Sequence, residues 1–161
     1  MIHVTYAKLE HAKGIQSVCT DGYWASYSHM LPSDQIKNVC EEFYNLPRIE
    51  NEITETSREW LGYMVALDED EVVGAIGGGF TGPHTAEVFV LYLNPVRRNE
   101  RIGTALLDFL TREQIKLGAT EQWASVYEDN QKGIPFYRAR GFVCISEKQK
   151  EGTGLRFKRE L

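Results

Sequence analysis

The sequence predicts an α/β (α+β) fold: a mixed, twisted central sheet of about six or seven strands with helices on both faces. Three observations predict it. A lone strand-like segment at the N-terminus is followed by a long helical stretch. Strands alternate with helices only in the second half of the chain. Between the halves, Thr85–Leu93 (TAEVFVLYL) is β-branched, aromatic and apolar on both faces, the composition of a central strand.

Residues 2–6 (IHVTY) read as the first strand. Residues 8–28 and 32–45 read as helices; Pro32 and Ser33 suit a helix start, with Asp34 in the first turn. A shorter helix is expected at 47–58. The apolar runs 60–67 and 72–80, separated by DEDE, read as a hairpin. Gly77, Gly78 and Gly79 lie in GAIGGGF, which lacks GxGxxG spacing, so a flexible or bulged strand end is expected there. After the central strand, NPVRRNERIG is a loop. Apolar positions 102, 105, 106, 109, 110 and 117 then mark one helix face, and Gly118 suits its C-terminal stop. Residues 122–127 form a strand with Trp123 and Tyr127 on one side. Residues 131–140 form a short helix ended by Gly141, and 142–146 with 155–159 a final strand pair.

With 161 residues, 42% apolar and 25% charged, the chain reads as one globular domain spanning 1–161. It has no run of about 18 apolar residues, so no membrane partner is expected. The opening MIHVTYAKLEHAKG does not read as a signal peptide. Cys19, Cys40 and Cys144 form neither a disulfide framework nor a CxxC pair, which suits a reducing cytoplasm. His3, His11 and His84 have no partner pattern, so no metal is expected. The net charge of −5 argues against nucleic acid as a partner. That charge is uneven: residues 41–59 hold six glutamates against Arg48 and Arg58, while 97–101 hold three arginines and one glutamate. Two readings of the glutamates stand, a solvated helix surface and an attraction for a cationic ligand.

The strand–loop–helix at 85–117 carries the most chemistry. A helix N-terminus presents unpaired N–H groups and partial positive charge, so it can hold a phosphate. Here Arg97, Arg98 and Arg101 lead into the helix at Ile102, Gly103 leaves its backbone open to a ligand, and Thr104 adds a hydroxyl. An ordinary surface loop is the alternative. No GxxxxGK[ST] is present, so this is not a nucleotide P-loop.

LYLNPVRRNERIGTALLDFL resembles the acetyl-CoA motif of the GCN5-related N-acetyltransferase (GNAT) family, Arg/Gln-x-x-Gly-x-Gly/Ala opening a helix. Arg98 falls on the Arg/Gln position and Gly103 on the second glycine. Arg101 occupies the first glycine position, a departure after which the loop cannot rely on a positive φ there. The resemblance implies a GNAT fold, acetyl-CoA as co-substrate and coenzyme contacts at Arg98, Asn99, Glu100, Arg101, Ile102, Gly103 and Thr104. Backbone groups of Leu91, Tyr92 and Leu93 are implied to hold the pantetheine arm.

A second segment, WASVYEDNQKGIPFYRARGF, resembles the family's other signature. Asn130 matches the asparagine that contacts the coenzyme arm or substrate, and Tyr137 the tyrosine that protonates the departing thiolate. A phenol of pKa ~10 can serve a thiol of pKa ~8.5 in this way. A turn asparagine and a core aromatic are the alternatives.

Attack by an amine on a thioester requires a neutral amine, hence a proton acceptor. Glu87 alternates onto the face of Phe89, Leu91 and Leu93, where apolar neighbours would raise its pKa and suit it as a base; a strand-edge glutamate reaching solvent is the other reading. Tyr23, Trp24 and Tyr27 are candidate acceptor-site residues, or core aromatics. The first half, with DGYWASYSHMLPSDQI and FYNLPRIENEI, is similar in layout to bacterial spermidine/spermine acetyltransferases, which makes a polyamine one candidate among small amines. The resemblance leaves a homodimer open. A non-catalytic acyl-CoA sensor on the same fold is the competing function, supported by Arg101 alone.

Overall fold

The computed structural model describes residues 1–97, 100–127, 130, 132–146 and 154–161. Among them seven strands, β1 (Ile2–Tyr6), β2 (Tyr63–Asp68), β3 (Glu71–Phe80), β4 (Thr85–Leu93), β5 (Glu121–Val126), β6 (Val143–Ser146) and β7 (Leu155–Glu160), form one sheet in the order β1-β2-β3-β4-β5-β7-β6. Neighbours are antiparallel except β4 and β5, which run parallel because the chain crosses over through α4 (Ile102–Lys116). The fold class read from the sequence is the one observed.

Helices α1 (Ala12–Tyr27), α2 (Ser33–Phe43) and α3 (Leu46–Thr54) cover one face of the sheet, here the front. Ile15, Val18, Cys19, Tyr23 and Ile49 pack there on Tyr63, Val65 and Ala75. Helices α4 and α5 (Gly133–Ala139) cover the back, where Ile102, Leu106, Leu107 and Tyr137 meet Met64, Val73, Val88, Ala124 and Phe157. Local signals fix the helix ends. Asn45 caps α3 by accepting from the Arg48 N–H at 2.9 Å. Gly118 (φ 101°) and Gly141 (φ 91°) take the left-handed turns that end α4 and α5.

The helix expected over 47–58 stops at Thr54, and β2 begins at Tyr63 rather than at residue 60. The intervening segment lies against the glycine run of β3. Leu61 N–H donates to the Gly78 carbonyl and Phe80 N–H to the Arg58 carbonyl. A Cβ on Gly77 would sit 2.3 Å from Trp60, and one on Gly79 would sit 2.0 Å from the Glu59 carbonyl oxygen. The glycines are there to admit this crossing chain.

Two irregularities shape the centre of the sheet. On β4, Val88 faces Gly78 and Val90 faces Gly77, so Phe89 is an extra, unpaired residue: a β-bulge. Its far edge pairs with β5 only from Thr85–Glu121 to Val88–Ala124, whereas β5 pairs with β7 along its whole length. Beyond Val88 the two parallel strands splay apart.

Candidate active site

The splay opens a cleft through the sheet. Residues 88–93 of β4 form one wall, Ser125 and Val126 of β5 the other, with Tyr27 reaching in from the front and Gly103, Phe136 and Tyr137 from the back. Its volume, ≈ 180 Å³, suits a slender ligand rather than a bulky one, since drug-sized pockets run from about 300 Å³ upward. The edge of β4 facing the cleft carries main-chain polar groups with no strand partner past Val88, which makes it a ready receptor for an amide-bearing ligand. Leu91, Tyr92 and Leu93 can act there through their backbone alone. The Tyr92 ring is packed against Tyr23 and Tyr44, and Leu91 and Leu93 join the back core.

At the back end of the cleft lies the start of α4. The first helical bond runs from Ala105 N–H to the Arg101 carbonyl, so the N–H groups of Ile102, Gly103 and Thr104 have no intrahelical acceptor. Arg101 takes φ 60°, ψ 24°. The expectation that arginine would deny the loop a positive φ is therefore corrected: Arg101 adopts the left-handed backbone a glycine would have supplied, at a cost of roughly 1–2 kcal/mol. Gly103 lines the cleft, and a Cβ there would lie 3.1 Å from the Phe136 ring. The loop is less basic than its sequence. Arg97 is spent on Asp68 at 2.7 Å and on Glu100 at 2.8 Å, and Glu100 in turn has its carboxyl held below the usual range by Arg97. The Glu100 side chain is thus an arginine partner, not an anion receptor. Arg98 and Asn99 lie outside the described residues.

Tyr137 is buried between Phe136 and Phe142, with ring centroids 5.3 and 5.0 Å away, and it lines the cleft. Burial, reinforced by nearby Tyr27, pushes its phenol well above the usual tyrosine range, so it remains a protonated donor at ordinary pH. Tyr27 approaches from α1 with its ring 4.9 Å from that of Tyr127, and Asn130 lines the same cleft. Asn130 also accepts from the Gly133 and Lys132 N–H groups at 2.8 and 3.2 Å. Turn residue and cleft residue are the same asparagine.

The acceptor candidates separate. Tyr27 faces the cleft; Tyr23 is packed among Tyr27, Tyr44 and Tyr92 as a core aromatic. Trp24 lines a different cleft, between α1 and α2, beside Lys37 and Glu41. The expected setting of Glu87 is also corrected. The bulge at Phe89 flips the alternation, so Glu87 shares the front face with Val90 and Tyr92, not the back with Leu91 and Leu93. Its carboxylate is engaged by the Arg156 guanidinium at 2.6 and 3.0 Å rather than set among apolar groups. None of the six glutamates at 41–59 lines the cleft; five are exposed, and Glu52 hydrogen-bonds Arg48 and Tyr63.

Residues 23–142 match the family model described as Acetyltransferase (GNAT) family. The chain belongs to that family. It is 28% identical over 165 residues to the uncharacterised N-acetyltransferase YuaI of Bacillus subtilis (strain 168), covering 98% of this chain and 90% of that protein. A crystal structure of a PaiA N-acetyltransferase from Thermoplasma acidophilum, in complex with coenzyme A, matches with a TM-score of 0.90 at 21% identity over 100% of this chain and 99% of that one. A GCN5-related N-acetyltransferase structure from Rhodopseudomonas palustris matches with a TM-score of 0.78 at 16% identity over 99% and 95% of the two chains. At these identities the structural likeness is one of fold.

As a GNAT family member the protein is an acetyltransferase that draws its acetyl group from acetyl-CoA. The observed cleft fits that co-substrate: unpaired strand edge for the amide-rich arm, free helix N–H groups for phosphate, a glycine where the arm meets the helix. Among the described residues no group of three or more His, Cys, Asp or Glu is placed to hold a metal ion, and no helix is long and apolar enough to cross a membrane. The sequence reading gives none of Ser26, Phe89, Ser125 and Phe136 as site residues, yet all four line the cleft. The Arg140 guanidinium stacks on the Phe136 ring at 3.9 Å, a pairing that the i, i+4 spacing of FYRAR could have signalled.

Proposed function

We propose that this GNAT enzyme transfers acetyl to the primary amine of a small molecule that enters from the front of the sheet. The observation that carries the reading is the through-sheet cleft, where Tyr27 from the front and Tyr137 from the back meet beside the unpaired edge of β4. The β4 backbone and the α4 N-terminus hold the acetyl-CoA arm and diphosphate. The neutral amine nitrogen bonds to the thioester carbon, the carbon–sulfur bond breaks, and Tyr137 donates its hydroxyl hydrogen toward the departing sulfur. The nitrogen gives up one proton in compensation, so the phenol is restored. Because burial makes Tyr137 a weaker acid, its work is hydrogen-bond donation to developing negative charge as much as full proton transfer.

Tyr27, Ser26, Phe89 and Ser125 give the front opening hydroxyl and aromatic groups suited to an ammonium or amine. A polyamine is one such acceptor, favoured by the chain's net charge of −5 rather than by any glutamate in the cleft. The sheet running from β1 to β7 supports reading 1–161 as one acetyltransferase domain, and the unbridged Cys19 and Cys40 suit a cytoplasmic setting. Arg101, which alone favoured a non-catalytic sensor, keeps the loop on the path of the motif's glycine.

The test is thiol release from acetyl-CoA with spermidine, spermine, a lysine peptide, an aminoglycoside and simple alkylamines. Acetylated product with any small amine supports the reading. Acetylation of the peptide alone, or coenzyme binding with no turnover on the whole panel, would sink it.

A further inference from the structure

Gln114 of α4 is wholly buried, and both polar atoms of its side chain are partnered. Its amide nitrogen donates to the main-chain carbonyls of Glu87 on β4 at 3.1 Å and of Gly79 on β3 at 3.4 Å. Its oxygen accepts from the equally buried Gln122 of β5 at 2.8 Å. Gln122 donates as well to Thr111 and accepts from Arg159 of β7. One carboxamide thus reaches three neighbouring strands from the back of the sheet. It does so through the space left by Gly78, where a Cβ would lie 2.5 Å from the Glu87 carbonyl oxygen and 3.1 Å from the Gln114 nitrogen. Gly78 faces Val88, the last residue of β4 paired with β5, and the bulge at Phe89 follows directly. Leucine at such a helix position would carry no polar cost; the amide is desolvated, and its hydrogen bonds to strand backbone offset that.

Resting on the reading that the β4 edge holds the acetyl-CoA arm, we propose that Gln114 is a positioning residue for acetyl transfer: its amide fixes the peptide leading into the β4 bulge, and with it the path of residues 88–93 along the cleft. Residue 87 is gripped from both faces of the sheet, its carboxylate by Arg156 in front and its carbonyl by Gln114 behind. With that peptide held, the extra residue of β4 sits at Phe89, and the phase beyond it is set: Val90 and Tyr92 to the front, Leu91 and Leu93 to the back. Gly77 and Gly78 on the facing strand have no side chains to resist a slip of that bulge. A shifted bulge would turn the main-chain groups between its old and new positions away from the cleft. Gln114 does not line the cleft; it acts on the reaction through the strand backbone alone.

The test is steady-state kinetics with varied acetyl-CoA, beside calorimetric binding of coenzyme A and pantetheine. The proteins are the wild type, Gln114→Met, Gln114→Glu and Thr111→Val, each at a temperature where circular dichroism shows it folded. Methionine matches glutamine in length and volume without its hydrogen bonds. Thr111→Val breaks the same buried network away from β4, leaving Gln122 and Arg159 each without an acceptor. Gln114→Met is expected to lower kcat/KM for acetyl-CoA roughly 10- to 100-fold, the scale of an ångström-sized misplacement. Gln114→Glu, neutral when buried, keeps one donor and one acceptor and should recover part of that loss. Thr111→Val should lose comparable stability in urea and keep kcat/KM near the wild-type value. If Gln114→Met does not fold, Gln114→Glu carries the comparison and should still fall below Thr111→Val. Unchanged kcat/KM in the folded Gln114 variants, or an equal fall in Thr111→Val, would make Gln114 a core amide only; the proposal then fails while the reading of the β4 edge stands. If the wild type binds neither coenzyme A nor pantetheine, both fail.

Discussion

Glu87 on β4 and Arg156 on β7 reach across the intervening β5 to form a two-pronged ion pair, at 2.6 and 3.0 Å. The same guanidinium donates to Ser125 at 2.7 Å and lies over the Trp123 ring. Through Arg156 the pair ties β4 to β7 and to Ser125 of β5 next to Val88, beyond which β4 and β5 separate, so it clamps the base of the cleft.

Replacing Glu87 with Gln is therefore expected to destabilise the protein by about 1–3 kcal/mol, because Arg156 keeps its desolvated charge and loses its counter-ion. Urea denaturation measures this. The acid limb of the kcat/KM profile should persist in the variant; its disappearance would restore Glu87 as the base.

Arg101→Gly should stabilise the chain. Relief of the left-handed backbone is worth roughly 1–2 kcal/mol, and the added chain entropy of glycine returns about 0.5–1 of it. A net gain of about 0.5–1 kcal/mol in equilibrium unfolding is the expected result, and a loss would show that the arginine side chain anchors the loop.

Tyr137→Phe keeps the ring contacts with Phe136 and Phe142 and removes only the hydroxyl. The expected outcome is a fall in kcat of roughly 10²- to 10⁴-fold with coenzyme affinity and melting temperature preserved. Steady-state kinetics beside calorimetry separates the two effects.

Gly79→Ala puts a methyl group against the Glu59 carbonyl, a backbone atom that cannot swing aside. A loss above about 2 kcal/mol is expected. Gly82→Ala, whose new carbon would meet Thr85 Oγ1 no closer than 3.4 Å, is the matched control and should change stability by less than about 0.5 kcal/mol.

Burial raises the pKa of seven tyrosines, Tyr6, Tyr23, Tyr27, Tyr44, Tyr63, Tyr92 and Tyr137. Each folded pKa exceeds its unfolded value, near 10, so the neutral phenols favour the native state below that pH. Their contribution is lost as pH climbs from there toward the folded values. Absorbance of phenolate at alkaline pH should rise together with the loss of circular dichroism, not ahead of it.

The sequence was most legible where pattern and chemistry coincide. Periodicity marked α4, glycines marked the ends of α4 and α5, and the two motifs marked the cleft's back wall. The bulge at Phe89 was invisible because TAEVFVLYL is apolar at nearly every position, and a strand without alternation carries no phase to break. Glu87 was misplaced for that reason. The GGG run read correctly as irregular strand, but its cause lies in residues 55–61, a crossing that has no local signature. Tyr23 and Tyr27, four apart on one helix, looked equivalent; one turn of helix separates the core from the cleft.

One consequence of the short β4–β5 ladder concerns the sequence of events in turnover. Because the opening passes from back to front, a ligand seated at its back end supplies the floor on which the front ligand must land. Ordered addition with acetyl-CoA first is the expected outcome, checked by product inhibition in which coenzyme A competes with acetyl-CoA and not with the amine. An amine arriving first would find a hole where its reaction partner belongs.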